Sequence, residues 1–154
     1  MLKKSNISFH DISRNAGADF SDILNGLKNK QQKKLSPKYL YDNLGSNLFE
    51  EITTLDDYYP TKKEIEIIEN QNKHFFDILP SASSVIEFGS GSNKKIKKLL
   101  KALDNPIEYI PIDISKEFLY KNAKDSAKDF PNLKVKAVCA DFDQIDALEK
   151  IIDK

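Results

Sequence analysis

The sequence predicts an α/β fold: a helical N-terminal region over residues 1–80, then the first half of a doubly wound parallel sheet over 81–154. Three observations predict it. Beyond Pro80, short apolar runs alternate with stretches of helical period, the pattern of β-α-β-α-β units with parallel strands. The first run, Val85-Ile86-Glu87-Phe88, breaks into Gly89-Ser90-Gly91-Ser92, a glycine turn from strand to helix. The second ends in Pro111-Ile112-Asp113, which places a carboxylate close to the ~20-residue spacing at which an acid reaches a ribose in nucleotide-binding units.

The elements follow in order. Phe20, Ile23, Leu24 and Leu27 recur at helical spacing and predict a helix from Asp19 to Lys30. Lys28 to Lys34 reads as a solvated basic stretch. Ser36-Pro37 opens a short helix, serine as its cap and proline in its first turn. Gly45 punctuates, and Ser46 to Ile52 forms a helix with Leu48, Phe49 and Ile52 on one face. Pro60 ends that segment, because the residue before a proline is pushed out of helical geometry. Thr61 caps the next helix, with Glu64 completing a capping box. Ile65, Ile67 and Ile68 carry this helix towards Phe75-Phe76, and no strand is predicted before residue 81. Val85–Phe88 is then a strand, and Lys94–Leu103 a helix with Ile96, Leu99, Leu100 and Leu103 inward. Glu108–Ile112 is a strand, Lys116–Phe130 a helix and Leu133–Ala140 a third strand, in which Val135, Ala137 and Cys139 alternate against Lys134, Lys136 and Val138.

Composition narrows the function classes. The chain has 154 residues, 40% hydrophobic and 31% charged, which suits one globular domain with a real core. Lys+Arg and Asp+Glu both total 24, so net charge provides no general attraction for nucleic acid. Arg14 is the only arginine, so bidentate clamps on phosphate are scarce. One cysteine, Cys139, excludes an internal disulfide and fits a reducing compartment; inside a strand it reads as a small buried hydrophobe. No apolar run approaches the ~18 residues of a membrane span, and the start lacks the apolar core of a secretory leader. A cytoplasmic chain without membrane or nucleic-acid partners is expected. His10 and His74 lie far apart without ligand-spaced Cys, Asp or Glu, so no metal site is expected.

Parallel strands put their carboxyl ends on one edge, and Glu87, Gly89, Asp113 and Asp141 all fall there, where open α/β sheets bind ligands. Gly89 can make the tight turn, and Gly91 lets backbone approach a ligand. The third glycine of a dinucleotide fingerprint is replaced by Lys94, which disfavours NAD(P). S-adenosyl-L-methionine suits the pattern better, since it has no phosphate but a ribose diol, an adenine and an amino-acid tail. Asp113 would accept from the ribose hydroxyls, and the backbone of Gly89 to Gly91 would approach the methionine portion. Asp141 could accept from the adenine amino group, and Phe142 offers the ring apolar contact. Taken singly, the Gly-x-Gly is a plain turn, Asp113 a cap for the 116–130 helix and Asp141 a cap for a helix near Gln144. The ordered set at successive strand ends favours a nucleoside site. The Lys94-Lys95 and Lys97-Lys98 pairs make a solvated helix face, with Lys95 near enough to meet a cofactor carboxylate.

The run Pro37-Lys38-Tyr39-Leu40-Tyr41-Asp42-Asn43-Leu44-Gly45-Ser46-Asn47-Leu48-Phe49-Glu50-Glu51-Ile52-Thr53 begins an ordered series. Tyr58-Tyr59-Pro60-Thr61-Lys62-Lys63-Glu64, Glu87-Phe88-Gly89-Ser90-Gly91-Ser92, Tyr109-Ile110-Pro111-Ile112-Asp113-Ile114-Ser115 and Ala140-Asp141-Phe142 continue it. In this series the chain resembles the histidine-specific, S-adenosylmethionine-dependent methyltransferases of ergothioneine biosynthesis, the Tyr-Asp-x-x-Gly-Ser-x-Leu-Phe-Glu-Glu-Ile run being the most specific part. The resemblance implies a Rossmann-like, class I methyltransferase sheet and methyl transfer to the α-amino nitrogen of a small amino acid, histidine. By position it implies cofactor binding by Gly89, Lys95, Asp113, Asp141 and Phe142, and substrate binding by Tyr58 and Tyr41. It implies no catalytic residue: displacement at a sulfonium rests on positioning and on a neutral amine, with no covalent enzyme intermediate.

One departure is large. The sequence stops after three predicted strands, and nothing in it corresponds to the downstream segment that builds much of the family's histidine pocket. The expectation is an N-terminal half: a truncated gene product, an excised piece or one partner of a split protein. Its open sheet edge would take a complementary C-terminal half or self-associate. The alternatives are a non-catalytic S-adenosylmethionine-binding half-domain that assembles with the missing half, and an NAD-dependent oxidoreductase fragment.

Overall fold

The computed structural model describes residues 5–13, 20–142 and 145–152, the stretch 145–148 as backbone only. The predicted helix start at Asp19 and the residue Gln144 lie outside the described residues. Four parallel strands form one sheet: β1 (Ile7–Asp11), β2 (Ser84–Phe88), β3 (Glu108–Asp113) and β4 (Lys134–Cys139), in the order β1-β4-β3-β2. The predicted strands β2, β3 and β4 and the helices between them, α5 (Lys94–Ala102) and α6 (Lys116–Asp129), are present. The architecture is thus α/β with a parallel, Rossmann-like half-sheet.

β1 corrects the expectation of a strand-free N-terminal region. Ile7 and Phe9 alternate with Ser8 and His10, but five residues of alternation become a strand only against a partner. That partner is β4, paired from Ile7 with Val135 to Asp11 with Cys139. Ile7 and Phe9 pack on the core, Phe9 meeting Tyr120 edge to face at 5.1 Å. The Asn6 amide nitrogen fixes the start by donating to the carbonyls of Ala127 (2.9 Å) and Leu133 (3.0 Å). β4 is therefore an inner strand, and among the described strands the two sheet edges are β1 and β2.

The helical preface consists of α1 (Phe20–Lys28), a 3-10 turn (Pro37–Leu40), α2 (Asn43–Ile52), α3 (Pro60–Asn70) and α4 (Asn72–Ile78). α2 begins earlier than predicted because the Asp42 carboxylate caps it, accepting from the Gly45 amide at 2.7 Å. α3 corrects the capping-box reading. Pro60 takes the first helical position, for which its fixed φ is suited, and Tyr59 is itself helical at φ −70° and ψ −21°. Thr61 then lies inside the helix, and Glu64 is left to pair elsewhere. The predicted run to Phe76 is broken at Gln71, after which α4 begins.

The sheet is covered unequally. On one face, Tyr109, Val135, Ala137 and Cys139 pack with Ile96 and Leu100 of α5 and Leu119, Ala123 and Ala127 of α6. Burial there pushes the Cys139 thiol above its ordinary pKa. On the other face, Ile110, Ile112, Val138 and Ala140 meet Ile12 and the end of α7 (Ile145–Ile152). Lys136 points into this side and is 4% exposed, its Nζ donating to the Ile151 carbonyl at 3.0 Å. A parallel strand covered on both faces overrides the lysine alternation read from sequence. Ile86 and Phe88, beside Ile110 and Ile112 in register, remain 41% and 58% exposed. Among the described residues no helix is long and apolar enough to cross a membrane.

Candidate functional site

The register brings Phe88 beside Ile112 and Asp113 beside Cys139, so the strands end level along one edge. A cavity of about 520 Å³ opens there, walled by the sheet edge on one side and α2 and α3 on the other. It is of the size, roughly 300–1,000 Å³, that encloses small ligands. All seven sequence-derived site residues line it: Gly89, Lys95, Asp113, Asp141, Phe142, Tyr41 and Tyr58.

The glycine turn is built from left-handed backbone, with φ +67° at Gly89 and +36° at Gly91, which glycine adopts without strain. Its amides are already used. Gly89 and Ser90 donate to the Ile112 carbonyl at 2.9 and 3.1 Å, and Gly91 donates to Asp113 Oδ2 at 3.0 Å. A pyrophosphate would need such amides free, so the turn is poorly matched to NAD. Asp113 Oδ1 accepts from the Ser115 amide at 2.8 Å, so the carboxylate is clamped on both oxygens. Asn122, which sequence reasoning missed, donates to the Gly91 carbonyl at 2.7 Å and accepts from the Asn93 side chain at 3.3 Å. This pair of amides braces the turn where a dinucleotide site has its third glycine; a mid-helix asparagine has no local signature that would reveal it.

The donor set fits a nucleoside with an amino-acid tail. Asp113 offers a fixed carboxylate for vicinal hydroxyls. Phe142 and Phe88 meet edge to face at 5.7 Å, giving the mouth an apolar wall, and among the described residues only the Phe142 ring, at 3.8 Å, stands near the space above Gly89. The hydroxyl of Ser90 is buried on the cavity lining with no hydrogen-bond partner among the described residues. Tyr58 packs edge to face on Phe49 at 5.9 Å, and Tyr41 follows the 3-10 turn.

Lys94, Lys95, Lys97 and Lys98 of α5 stay partly exposed, as the sequence predicts, and each is also ion-paired. Lys94 pairs with Glu50 of α2, Lys95 with Glu64 of α3, both at 2.9 Å, Lys97 with Asp129 at 2.7 Å and Lys98 with Glu69. Lys38 reaches Asp141 at 3.3 Å, which raises the pKa of the lysine. Apart from Lys97–Asp129, which joins α5 to α6, these pairs tie the helical preface to α5 and the sheet edge, and residue spacing alone could not reveal them.

Glu87, at the end of β2, accepts from the Tyr109 hydroxyl at 2.6 Å. Burial pushes its carboxyl up from 4.5 to about 7, against the opposing pull of Tyr109 and Lys95 and with the nearby charges of Asp113 and Glu64. Between those two values the folded chain holds a proton that the unfolded chain has lost. Stability from this group is therefore complete below 4.5, falls as pH rises towards about 7, and is flat above. Glu87→Gln is expected to gain stability relative to the parent between about pH 5 and about pH 8. Urea midpoints of both proteins at the two pH values check this; a constant difference would place Glu87 in an ordinary carboxylate environment.

Comparison with known proteins adds an independent finding. A family model described as histidine-specific methyltransferase, SAM-dependent, matches residues 19–154. The chain is similar to histidine N-alpha-methyltransferase of Mycobacterium tuberculosis, 34% identical over 126 residues, 80% of this chain and 39% of that protein. Its counterpart in Mycolicibacterium smegmatis is 33% identical over 115 residues, 73% of this chain and 36% of that protein. Ergothioneine biosynthesis protein 1 of Neurospora crassa is 40% identical over 90 residues, 56% of this chain and 10% of that protein. The chain thus spans about two fifths of the length of the two mycobacterial relatives.

Proposed function

The chain belongs to the histidine-specific, S-adenosylmethionine-dependent methyltransferase family, and from that premise we propose that it is the cofactor-holding half of an amino-acid N-methyltransferase acting on the α-amino group of L-histidine. One observation carries the reading: the structure gathers Asp113, the glycine turn, Lys95, Asp141, Phe142, Tyr41 and Tyr58 around one cavity at the carboxyl edge of the sheet. Asp113 orients the ribose, Asp141 and Phe142 receive the adenine, and Tyr58 and Tyr41 face the amino-acid substrate. Residues 1–80 serve mainly as the substrate-side lid and 81–154 as the cofactor half. When bound, the cofactor would supply an electrophilic sulfonium methyl group, to which a neutral amine nitrogen bonds in line as the S–CH3 bond breaks and the thioether leaves. No side chain of the chain is needed as a nucleophile; its residues hold the two reactants and exclude water. Calorimetric titration of the chain with S-adenosylhomocysteine tests the reading. Saturable binding supports it, and a folded chain that takes up no ligand counts against it.

Substrate selection belongs to the complementary C-terminal half, which relatives of more than twice the length support. The bare edge of β2, with Ile86 and Phe88 exposed on its uncovered face, is where that half adds its next strand. Phe88→Asp is expected to prevent association with a separately expressed C-terminal half, read by size-exclusion chromatography. Formation of a homodimer by the parent chain instead would assign the edge to self-association.

A further inference from the structure

We propose that Lys95 and Glu64 form a clamp for the zwitterionic α-amino-acid end of the cofactor, Lys95 taking its carboxylate and Glu64 its ammonium. The inference rests on the reading of the cavity as an S-adenosylmethionine site and deepens it by adding Glu64. The two side chains come from different layers, Lys95 from the first turn of α5 and Glu64 from α3, and pair at 2.9 Å across the cavity wall. Both also border the smaller cavity behind it, together with Glu87 and Val85 of β2. This places the pair beside the end of β2, immediately before Gly89, where a ligand whose ribose sits on Asp113 would send its tail. Lys98–Glu69 does not line the cavity, and Lys94–Glu50, though it lines the main cavity, does not border the smaller one beside β2.

The chemistry of the pair is complementary to the tail. An α-amino acid carries one carboxylate and one ammonium a few ångströms apart, the same two charges in reverse. Exchanging the internal ion pair for two ligand pairs changes no net charge, so neither protein group is left uncompensated. With Lys95 alone, the ligand's ammonium would enter the cavity without the counter-ion that Glu64 supplies. The pair therefore selects for a complete amino-acid tail over a bare nucleoside thioether, and Glu64 has this role free to fill because Pro60, not Thr61, starts α3.

The test compares two probes, S-adenosylhomocysteine and 5′-methylthioadenosine, which shares the nucleoside and the sulfur but lacks the amino-acid end. Each is titrated calorimetrically into the full chain and into Glu64→Gln. The parent is expected to prefer S-adenosylhomocysteine by about a hundredfold, and Glu64→Gln to lose about tenfold of that affinity while binding methylthioadenosine unchanged. Unchanged or tighter binding of S-adenosylhomocysteine by Glu64→Gln overturns the clamp and leaves Glu64 as the resting counter-ion of Lys95. Equal weakening of both probes overturns it in favour of a structural role. If the parent binds the two probes equally, the clamp fails while the nucleoside reading survives; if it binds neither, the cofactor reading fails and the clamp with it.

Discussion

Asp113→Asn is expected to weaken S-adenosylhomocysteine binding by about a hundredfold or more, the largest ligand effect of any single substitution at the site. The expectation comes from counting acceptor sites. An ionised carboxylate offers about four lone-pair positions and no donor. In the structure Ser115 N–H occupies one on Oδ1 at 2.8 Å and Gly91 N–H one on Oδ2 at 3.0 Å. One position remains on each oxygen, which matches two vicinal ribose hydroxyls. An asparagine cannot satisfy this set in either orientation: its NH₂ must face the Gly91 or the Ser115 amide, donor against donor. It also removes the charge that strengthens both ribose bonds, each worth about 1.5–3 kcal/mol when one partner is ionised. The glycine turn, which takes Gly91 from Asp113, shifts at the same time. Calorimetry with the parent and the variant decides it, with circular dichroism to show that the variant is folded. Retention of parent affinity by folded Asp113→Asn would falsify the placement of the ribose on β3 and turn attention to Asp141 as its acceptor.

The acids and the glycine turn were legible in the sequence because they depend on local order: a strand end, a turn and the next strand end. Parallel pairing then brings Gly89, Asp113 and Asp141 level without further information, as the register of Phe88 with Ile112 and of Asp113 with Cys139 shows. The parts that were not legible all depend on contacts distant in sequence. β1 is a strand only because β4 presents an edge to it. Asn122 matters only because α6 passes the Gly91 carbonyl. Glu64, read as half of a capping box, pairs with Lys95 instead, the helix starting two residues earlier than a cap at Thr61 implied. The lysines of α5 read as solvated only, without their ion pairs, because their partners, Glu50, Glu64 and Glu69, come from a different layer. Sequence periodicity assigns a face to the core or to solvent, and has no term for a face that meets a charged neighbour.

Gly45→Ala gives the second large effect, this time on stability, and its sign is the informative part. Gly45 lies in the first turn of α2, and at an ordinary helical site alanine is favoured over glycine by about 1 kcal/mol. Here a Cβ would stand 1.7 Å from the carbonyl oxygen of Leu40 and 2.9 Å from its carbon. The obstacle is backbone, so no side chain can rotate away; the end of the 3-10 turn must part from α2 by well over an ångström. That motion pulls Asp42 from the Gly45 amide it caps at 2.7 Å, a loss of about 1 kcal/mol, and adds the overpacking penalty of about 1–3 kcal/mol. Net of the propensity gain, Gly45→Ala is therefore expected to destabilise the chain by about 2 kcal/mol, measured from urea unfolding at fixed pH. The displacement falls on Tyr41 and Lys38, which the same turn carries into the cavity, whereas the Asp113 carboxylate and the glycine turn belong to the sheet edge. At temperatures where the variant stays folded, its affinity for S-adenosylhomocysteine should fall far less than that of Asp113→Asn. A neutral or stabilising Gly45→Ala would mean that Leu40 does not close over α2, and the glycine of the Tyr-Asp-x-x-Gly-Ser run would then need a reason other than close backbone approach.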